Sequence, residues 1–313
     1  MAAERRVGSR PGPASGPHPV ILAITGGTGF VGGTLIRHAL EAGHHVRALT
    51  RRPQPDRAGV TWVGGTLSDP ADLTAGADAV VHVAGVVNVP TREAFAAGNI
   101  DGTRAILAAS THVGRFVHVS SLAAREPQLS NYGWSKAEAE KLVEASPLPW
   151  TIVRPPGIYG PGDLDQLDLY KLACHRLALL PPRGRVSLIA VDDLARLLLT
   201  LATHDAPRAI YEADDGTAGW THADYARAIG DAVGRRVLPI HLPRAALALA
   251  ARADRLLRGH EARLTADRVG YLCHPDWTID PAKRPPAALW TPSIPTAQGL
   301  ADTARWYRAH ALL

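Results

Sequence analysis

The sequence predicts an α/β protein: a doubly wound parallel sheet that carries a smaller, mostly C-terminal lobe. Short apolar runs alternate with helical periodicity from Val20 onward. The first, fourth and fifth of these runs are apolar throughout, and a glycine-rich turn follows the first run and opens a helix. The expected strands are Val20–Thr25, His45–Leu49, Val60–Val63, Ala79–Val83, Arg115–Ser120 and Trp150–Arg154. A run apolar at every position has to be covered on both faces, as a central parallel strand is. Helical patterns fill the gaps at Phe30–Ala42, Arg92–Thr111, Tyr132–Ser146 and Val191–Thr203. Right-handed crossovers between such strands impose the doubly wound order.

After Arg154 the alternation fades. The turn-rich Pro155–Gly162 stretch leads into apolar helical segments, a Pro-rich loop at Pro181–Arg185 and a less regular C-terminal third. Residues 20–160 therefore read as the sheet domain, with 186–212 returning to it. Residues 161–185 and 213–313 read as a lobe of the kind that adapts to a ligand. Pro243–Arg258 reads as an Ala/Leu helix with Arg244, Arg252, Arg255 and Arg258. Such a helix covers the lobe or, less commonly, lies on a membrane surface. Residues 1–19, rich in Arg, Gly, Pro, Ala and Ser, read as a disordered tail without the roughly 7–15-residue apolar stretch of a secretory signal.

Composition narrows the function classes. Of 313 residues, 46% are hydrophobic and 20% charged, a globular balance that excludes a disordered chain, and no run reaches the roughly 18 apolar residues of a membrane span. The net charge of +5 and pI near 9.5 come from scattered arginines. No basic patch is interleaved with aromatics, so nucleic acid is not an expected partner, whereas anionic small molecules are. Cys174 and Cys273 lie far apart and the histidines are dispersed, so neither a disulfide framework nor a metal site is expected, and a reducing cytoplasm fits. The expected partner is a small-molecule substrate, and a homodimer is compatible with the sequence. Gly-x-Ser-x-Gly, His-Glu-x-x-His and Walker patterns are missing, which removes the signatures of triad hydrolases, zinc proteases and P-loop nucleotidases. The pairs Asp192-Asp193 and Asp214-Asp215 read as helix or loop caps, because adjacent helical residues do not face each other.

The turn from Thr25 to Gly32 carries Gly26, Gly29 and Gly32 between a buried strand and a helix, the context that separates a dinucleotide site from an ordinary βα turn. One glycine turns the chain tightly, the next lets backbone N–H groups approach a pyrophosphate, and the third lets the helix pack on the strand. A Rossmann-type NAD(P) site follows. The second strand ends at Arg51 and Arg52, where a carboxylate would ordinarily bind the ribose 2′-hydroxyl of NAD. Two guanidinium groups there favour the 2′-phosphate of NADP(H) over NAD(H).

Further motifs accompany the turn: His82-Val-Ala-Gly85, Asn99-Ile-Asp-Gly-Thr103, Val119-Ser120-Ser121, Tyr132-Gly-Trp-Ser-Lys136 and Arg154-Pro-Pro-Gly-Ile-Tyr-Gly-Pro-Gly162. Together they resemble the extended, epimerase/dehydratase-like branch of the short-chain dehydrogenase/reductase superfamily, from about Val20 to the C-terminus. Tyr132 and Lys136 stand four apart on a predicted helix, so they share a face one turn apart. A free tyrosine has a pKa of about 10, and a fixed ammonium beside it, together with an oxidised nicotinamide ring, favours the phenolate, which suits a general acid/base. The resemblance implies that Lys136 also holds the cofactor ribose and that Ser121, rather than Ser120, hydrogen-bonds the substrate oxygen. It further implies a cofactor site of Gly26, Thr28, Gly29, Phe30, Val31 and Gly32, with Arg51, Arg52, Thr66, Leu67, Val83, Ala84, Gly85, Asn99, Tyr132, Lys136 and Pro155. Asn99 and His82 read equally well as structural polar groups.

Departures from the family pattern divide its activities. The acidic pair that dehydratases carry after the active-site serine is Leu122 and Ala123 here. The asparagine that sugar-nucleotide epimerases place after the sixth strand is Gly157, and the aspartate that contacts adenine is Thr66. The Arg154–Gly162 stretch looks more like the hydroxysteroid-dehydrogenase and dihydroflavonol-reductase side. The leading expectation is thus an NADP(H)-dependent reductase or dehydrogenase that acts on a carbonyl or hydroxyl of a small, mostly apolar molecule. The alternatives are a sugar or nucleotide-sugar epimerase and a non-catalytic NAD(P)-binding sensor or assembly protein.

Overall fold

The computed structural model describes residues 19–259, 262 and 264–313, so the tail expected at residues 1–19 lies, apart from Pro19, outside the described residues. The strands are β1 Ile21–Thr25, β2 His45–Thr50, β3 Val60–Gly64, β4 Ala79–His82, β5 Arg115–Val119, β6 Trp150–Val153 and β7 Gly157–Tyr159. They continue with β8 Leu177–Leu180, β9 Arg185–Val186, β10 Leu188–Ala190, β11 Ala209–Tyr211, β12 Trp220–Thr221, β13 Leu238–His241 and β14 Asp276–Trp277. The α-helices are α1 Phe30–Glu41, α2 Ala71–Thr74, α3 Arg92–Phe95, α4 Gly102–Ala109, α5 Asn131–Glu144 and α6 Leu167–Cys174. After them come α7 Val191–Thr203, α8 His222–Val233, α9 Arg244–Arg258, α10 Ala266–Leu272 and α11 Thr296–Ala309.

Seven strands form one parallel sheet in the order β11-β6-β5-β4-β1-β2-β3. Alternate residues of each central strand feed opposite cores. Leu22, Ile24, Val81 and Val117 pack with Leu35 and Ile36 of α1 and Leu194, Leu197 and Leu198 of α7. Ala23, Val80, Phe116 and Ile152 pack on the other face with Leu73 of α2, Ile106 of α4 and Val143 of α5. The order reverses between β1 and β4, and in such sheets the crevice at the carboxyl ends of the strands is where ligands bind.

The lobe is built on α6, α8 and α11, whose core includes Tyr159, Tyr170 and Tyr307. Three small sheets attach to it: β7 with β10, β8 with β13, and β9 between β12 and β14. Among the described residues no helix is long and apolar enough to cross a membrane.

Two elements differ from the sequence expectation. The helix expected at Arg92–Thr111 is interrupted by a π-helical turn at Ala96–Asp101. The extra residue in that turn accompanies the inward side chain of Asn99, which bonds Val86 on both its N–H and carbonyl, and Ser135 Oγ. A seventh strand, β11, extends the sheet beyond β6; three residues are too few for a periodicity to register. The paired aspartates also do more than cap. Asp192 and Asp193 stand in the first turn of α7. Asp192 reaches Arg37 and His38 of α1, while Asp193 accepts from the amides of Ser293 and Ile294 ahead of α11.

A buried ionic network ties sheet, helix and lobe together. Arg154, just beyond β6, donates Nε and Nη2 to Glu140 of α5 at 2.9 and 2.6 Å and Nη1 to Glu212, just beyond β11, at 3.4 Å. Glu212, with no solvent exposure, also accepts from Arg125 and the amide of Asp280. Removing one partner of such a network leaves uncompensated buried charge. Glu212→Ala is therefore expected to lower unfolding free energy by about 3–5 kcal/mol in denaturant titration. A loss below about 1 kcal/mol would mean that the network contributes little.

Candidate active site

All the parallel strands of the main sheet end at one edge, and the residues singled out from the sequence gather there. Gly26 and Thr28 lie in the turn after β1, Gly29 caps α1, and Phe30, Val31 and Gly32 form its first turn. Gly26 has φ +71°. A Cβ on Gly32 would sit 2.1 Å from the Gly26 carbonyl oxygen, so the turn and helix can close up only without side chains. No side chain caps α1, which leaves its first amides facing the turn, an arrangement that suits a pyrophosphate. The residues present thus fit a dinucleotide.

The remaining cofactor candidates follow the neighbouring strands. Arg51 and Arg52 are exposed just past β2, with no ion pair among the described residues, and Thr66 and Leu67 follow β3. Val83, Ala84 and Gly85 follow β4, and Pro155 follows β6. The Ala84 amide donates to Thr25 Oγ1, which also bonds His82; that imidazole bonds Thr103 on its other nitrogen. His82 is fully buried, and desolvation pushes its pKa down to about 3, so it is a neutral structural link between β1, β4 and α4. Asn99 is likewise fully engaged in holding the loop after β4. Any side chain on Gly85 would meet Asn99 and Lys136, which places these three residues side by side.

Ser121 leaves β5 and caps a 3-10 turn at Leu122–Arg125, accepting from the Ala123 amide at 3.2 Å. Tyr132 and Lys136 lie on the inner face of α5. Gly133 allows this helix to press on that turn: a Cβ there would lie 2.6 Å from the Ala123 carbonyl oxygen. As a result Ser121 comes near enough to Tyr132 to pull the phenol's pKa down slightly. Phe95 and Tyr271 flank the Tyr132 ring at centroid distances of 6.3 and 6.1 Å, so the phenol projects into an aromatic setting. The outer face of α5, with Asn131, Trp134, Glu138 and Lys141, borders a separate open cavity of about 630 Å³ that does not include Tyr132 or Lys136.

In the chain alone, burial pushes the Tyr132 phenol up to about 12, against the smaller downward effects of Ser121 and Arg268. The Lys136 ammonium is not among the groups that act on it there. Its Nζ instead donates to the Val119 carbonyl at 2.8 Å, and burial lowers its pKa to about 8 despite the opposing charge of Glu140. With its proton retained, Tyr132 is suited to donate.

Several residues at the site were not apparent in the sequence. Asp267 of α10 accepts from the amides of Asn131 at 2.6 Å and Tyr132 at 3.3 Å, alongside the cap made by Ser130. Tyr271 and Arg268 stand on the same helix. They come more than a hundred positions after Tyr132, in a region without a local motif, so only the fold brings them together.

Comparison with known proteins places this geometry. Residues 26–205 match the family described as NAD(P)H-binding. The chain is 36% identical to the ceramide reductase of Caulobacter vibrioides, over 92% of its own length and 95% of that protein's. It is 44% identical over 112 residues, 32% of each chain, to a putative dihydroflavonol 4-reductase of Synechocystis. Among solved structures, MoeE5 in complex with UDP-glucose and NAD superposes with a TM-score of 0.71 at 21% identity, covering 93% of this chain and 99% of that one. At that identity the likeness is one of fold.

The buried lysine makes stability depend on pH. Lys136 in the folded protein loses its proton near pH 8, whereas an unfolded lysine does so near 10.5. Between these values the unfolded chain holds more protons, so this residue makes stability rise with pH across that window. Relative to Lys136→Met, the wild type is expected to gain about 2–3 kcal/mol between about pH 7 and about pH 10.5 in denaturant titrations. Parallel stability curves for the two proteins would show that the ammonium is not desolvated.

Proposed function

The chain belongs to the NAD(P)H-binding family, as an NAD(P)-dependent oxidoreductase of the epimerase/dehydratase type of short-chain dehydrogenase/reductase, and from that premise we propose that it reduces a carbonyl of an apolar, lipid-like substrate. Tyr132, set between Phe95 and Tyr271 with Ser121 close to its phenol, carries this reading. The turn of Gly26, Gly29 and Gly32 would hold the reduced dinucleotide, whose chemistry when bound would be hydride donation to the carbonyl carbon. Ser121 Oγ orients the carbonyl oxygen, and the Tyr132 phenol gives that oxygen its proton. Burial keeps the phenol protonated until then. Lys136, held against Val119 and facing Gly85 and Asn99, contributes positive charge at the ribose side of the site. Residues 161–185 and 213–313 form the substrate lobe.

Other features support a reductase over its alternatives. Leu122 and Ala123 are buried in the turn after Ser121, where dehydratases need acids. Gly157 packs against Leu188: a Cβ there already lies 3.1 Å from its side chain, which leaves little room for the asparagine of sugar-nucleotide epimerases. A relative that covers nearly the whole chain is named for reduction of a ceramide, which agrees with an apolar substrate. We favour NADPH as the reductant, because Arg51 and Arg52 are exposed just past β2 and have no ion pair among the described residues, which leaves them open to a 2′-phosphate.

The test is net oxidation of NADPH with long-chain oxo-lipids and apolar ketones, followed by absorbance. Tyr132→Phe should lower turnover by at least about a hundredfold and leave cofactor affinity nearly unchanged. Conversion of a nucleotide sugar to its epimer, without net cofactor oxidation and abolished in the same variant, would overturn the proposal. In binding titrations, the double variant Arg51→Ala and Arg52→Ala should weaken NADPH by about 1–3 kcal/mol and hardly affect NADH. Equal weakening of both cofactors would remove the arginines from phosphate recognition.

A further inference from the structure

Most of the large hydrophobic side chains exposed among the described residues fall on three elements of the lobe, β8, β13 and α9. The two strands pair in parallel, with Leu238 opposite Leu177 and Ile240 opposite Leu179. Side chains alternate along a strand, so these four stand on one face, while Ala178 and Leu180 point into a small core on the other. All four are exposed, Leu238 at 61%.

From β13 the chain passes through Leu242 and Pro243 directly into α9. On this helix Leu249, Leu256 and Leu257 are exposed at 67, 87 and 85%, and Ala251 is the one buried residue. Helical geometry puts the three leucines on the side opposite Ala251. An amphipathic helix on a globular protein ordinarily turns its apolar stripe inward, so α9 is reversed.

Charge identifies what such a surface fits. Helix α9 carries Arg244, Arg252, Arg255 and Arg258 against a single acid, Asp254, which pairs with Arg258 at 3.3 Å. Arg176 immediately precedes β8, and Arg235 and Arg236 lie shortly before β13, all three exposed. On α9 Arg252 flanks the leucines while Arg244, Arg255 and Arg258 take the other face, and this pattern of leucines on one side and arginines on the other complements a layer whose interior is apolar and whose surface is anionic. Contact of this face with the same face of a second copy would bring the arginines of the two together, which like-charge repulsion opposes.

We propose that β8, β13 and α9 form a docking surface for an anionic lipid bilayer, with the leucines entering the acyl boundary and the arginines meeting head-group phosphates. The surface is linked to the site. After α9 the Ala262 carbonyl accepts from Asn88 in the loop after β4, and α10 then caps α5 at Tyr132. Docking rests on exposure and charge alone and holds whatever the substrate is.

Flotation of the full chain with vesicles tests it without reference to turnover. The protein should float with vesicles of equal parts phosphatidylglycerol and phosphatidylcholine, less with phosphatidylcholine alone, and less as salt rises. The variant Leu256→Ser with Leu257→Ser should weaken binding by at least about tenfold. Arg252→Glu with Arg255→Glu should remove the preference for the anionic vesicles. Both should melt and bind NADPH as the wild type does, since these side chains are exposed. Absence of flotation at low salt, or flotation that neither variant changes, overturns the proposal. So does a dimer in sedimentation that the leucine variant dissolves, which would make the face a contact between copies.

Discussion

Two carboxylates almost sealed from solvent, Glu140 and Glu212, set the terms for the rest of the structure. One guanidinium, that of Arg154, reaches both at the point where β6 leaves the sheet; it holds Glu140 through two bonds and shares Glu212 with Arg125 and the Asp280 amide. Because Glu140 belongs to α5 and Glu212 follows β11, Arg154 fixes the helix that carries Tyr132 and Lys136 against the carboxyl edge of the sheet. Arg125, at the end of the turn that Ser121 caps, joins the same cluster through Glu212. Ser121 and Tyr132 thus meet because elements distant in sequence share one set of charges. Such a cluster fixes geometry more surely than it adds stability, since desolvation offsets most of the attraction.

The site has been arranged against charge. Burial drives the Lys136 and His82 pKa values down and that of Tyr132 up, and Phe95 and Tyr271 supply the surrounding surface. Only the ammonium is retained near neutral pH, with Glu140 one turn away to support it.

What the sequence disclosed was whatever local pattern records. The strands of the central sheet were legible because burial on both faces leaves an apolar run, as in Ala79–Val81. The turn at Gly26 to Gly32 was legible because its backbone tolerates no side chains, and Tyr132 with Lys136 because their spacing matches a helical turn. What was missed depends on tertiary contact. Strand β11 is a strand only because β6 pairs with it. Asp267 is an ordinary first-turn acid until α10 is laid on α5. The bond from Lys136 to the Val119 carbonyl was not legible because that carbonyl lies outside Lys136's own neighbourhood in the sequence.

The π-turn at Ala96–Asp101 carries an implication for how such chains diverge. Helices α3 and α4 are joined by one residue more than continuous α-helical geometry would need, and that residue rotates the two faces relative to each other by about 100°. A relative with a single deletion between Phe95 and Gly102 could keep both ends of the helix in place and lose only the turn that aims Asn99 at Val86. Length over this interval, more than residue identity, therefore records whether the loop after β4 is tethered. An aligned asparagine beside a one-residue gap is not the same asparagine in space.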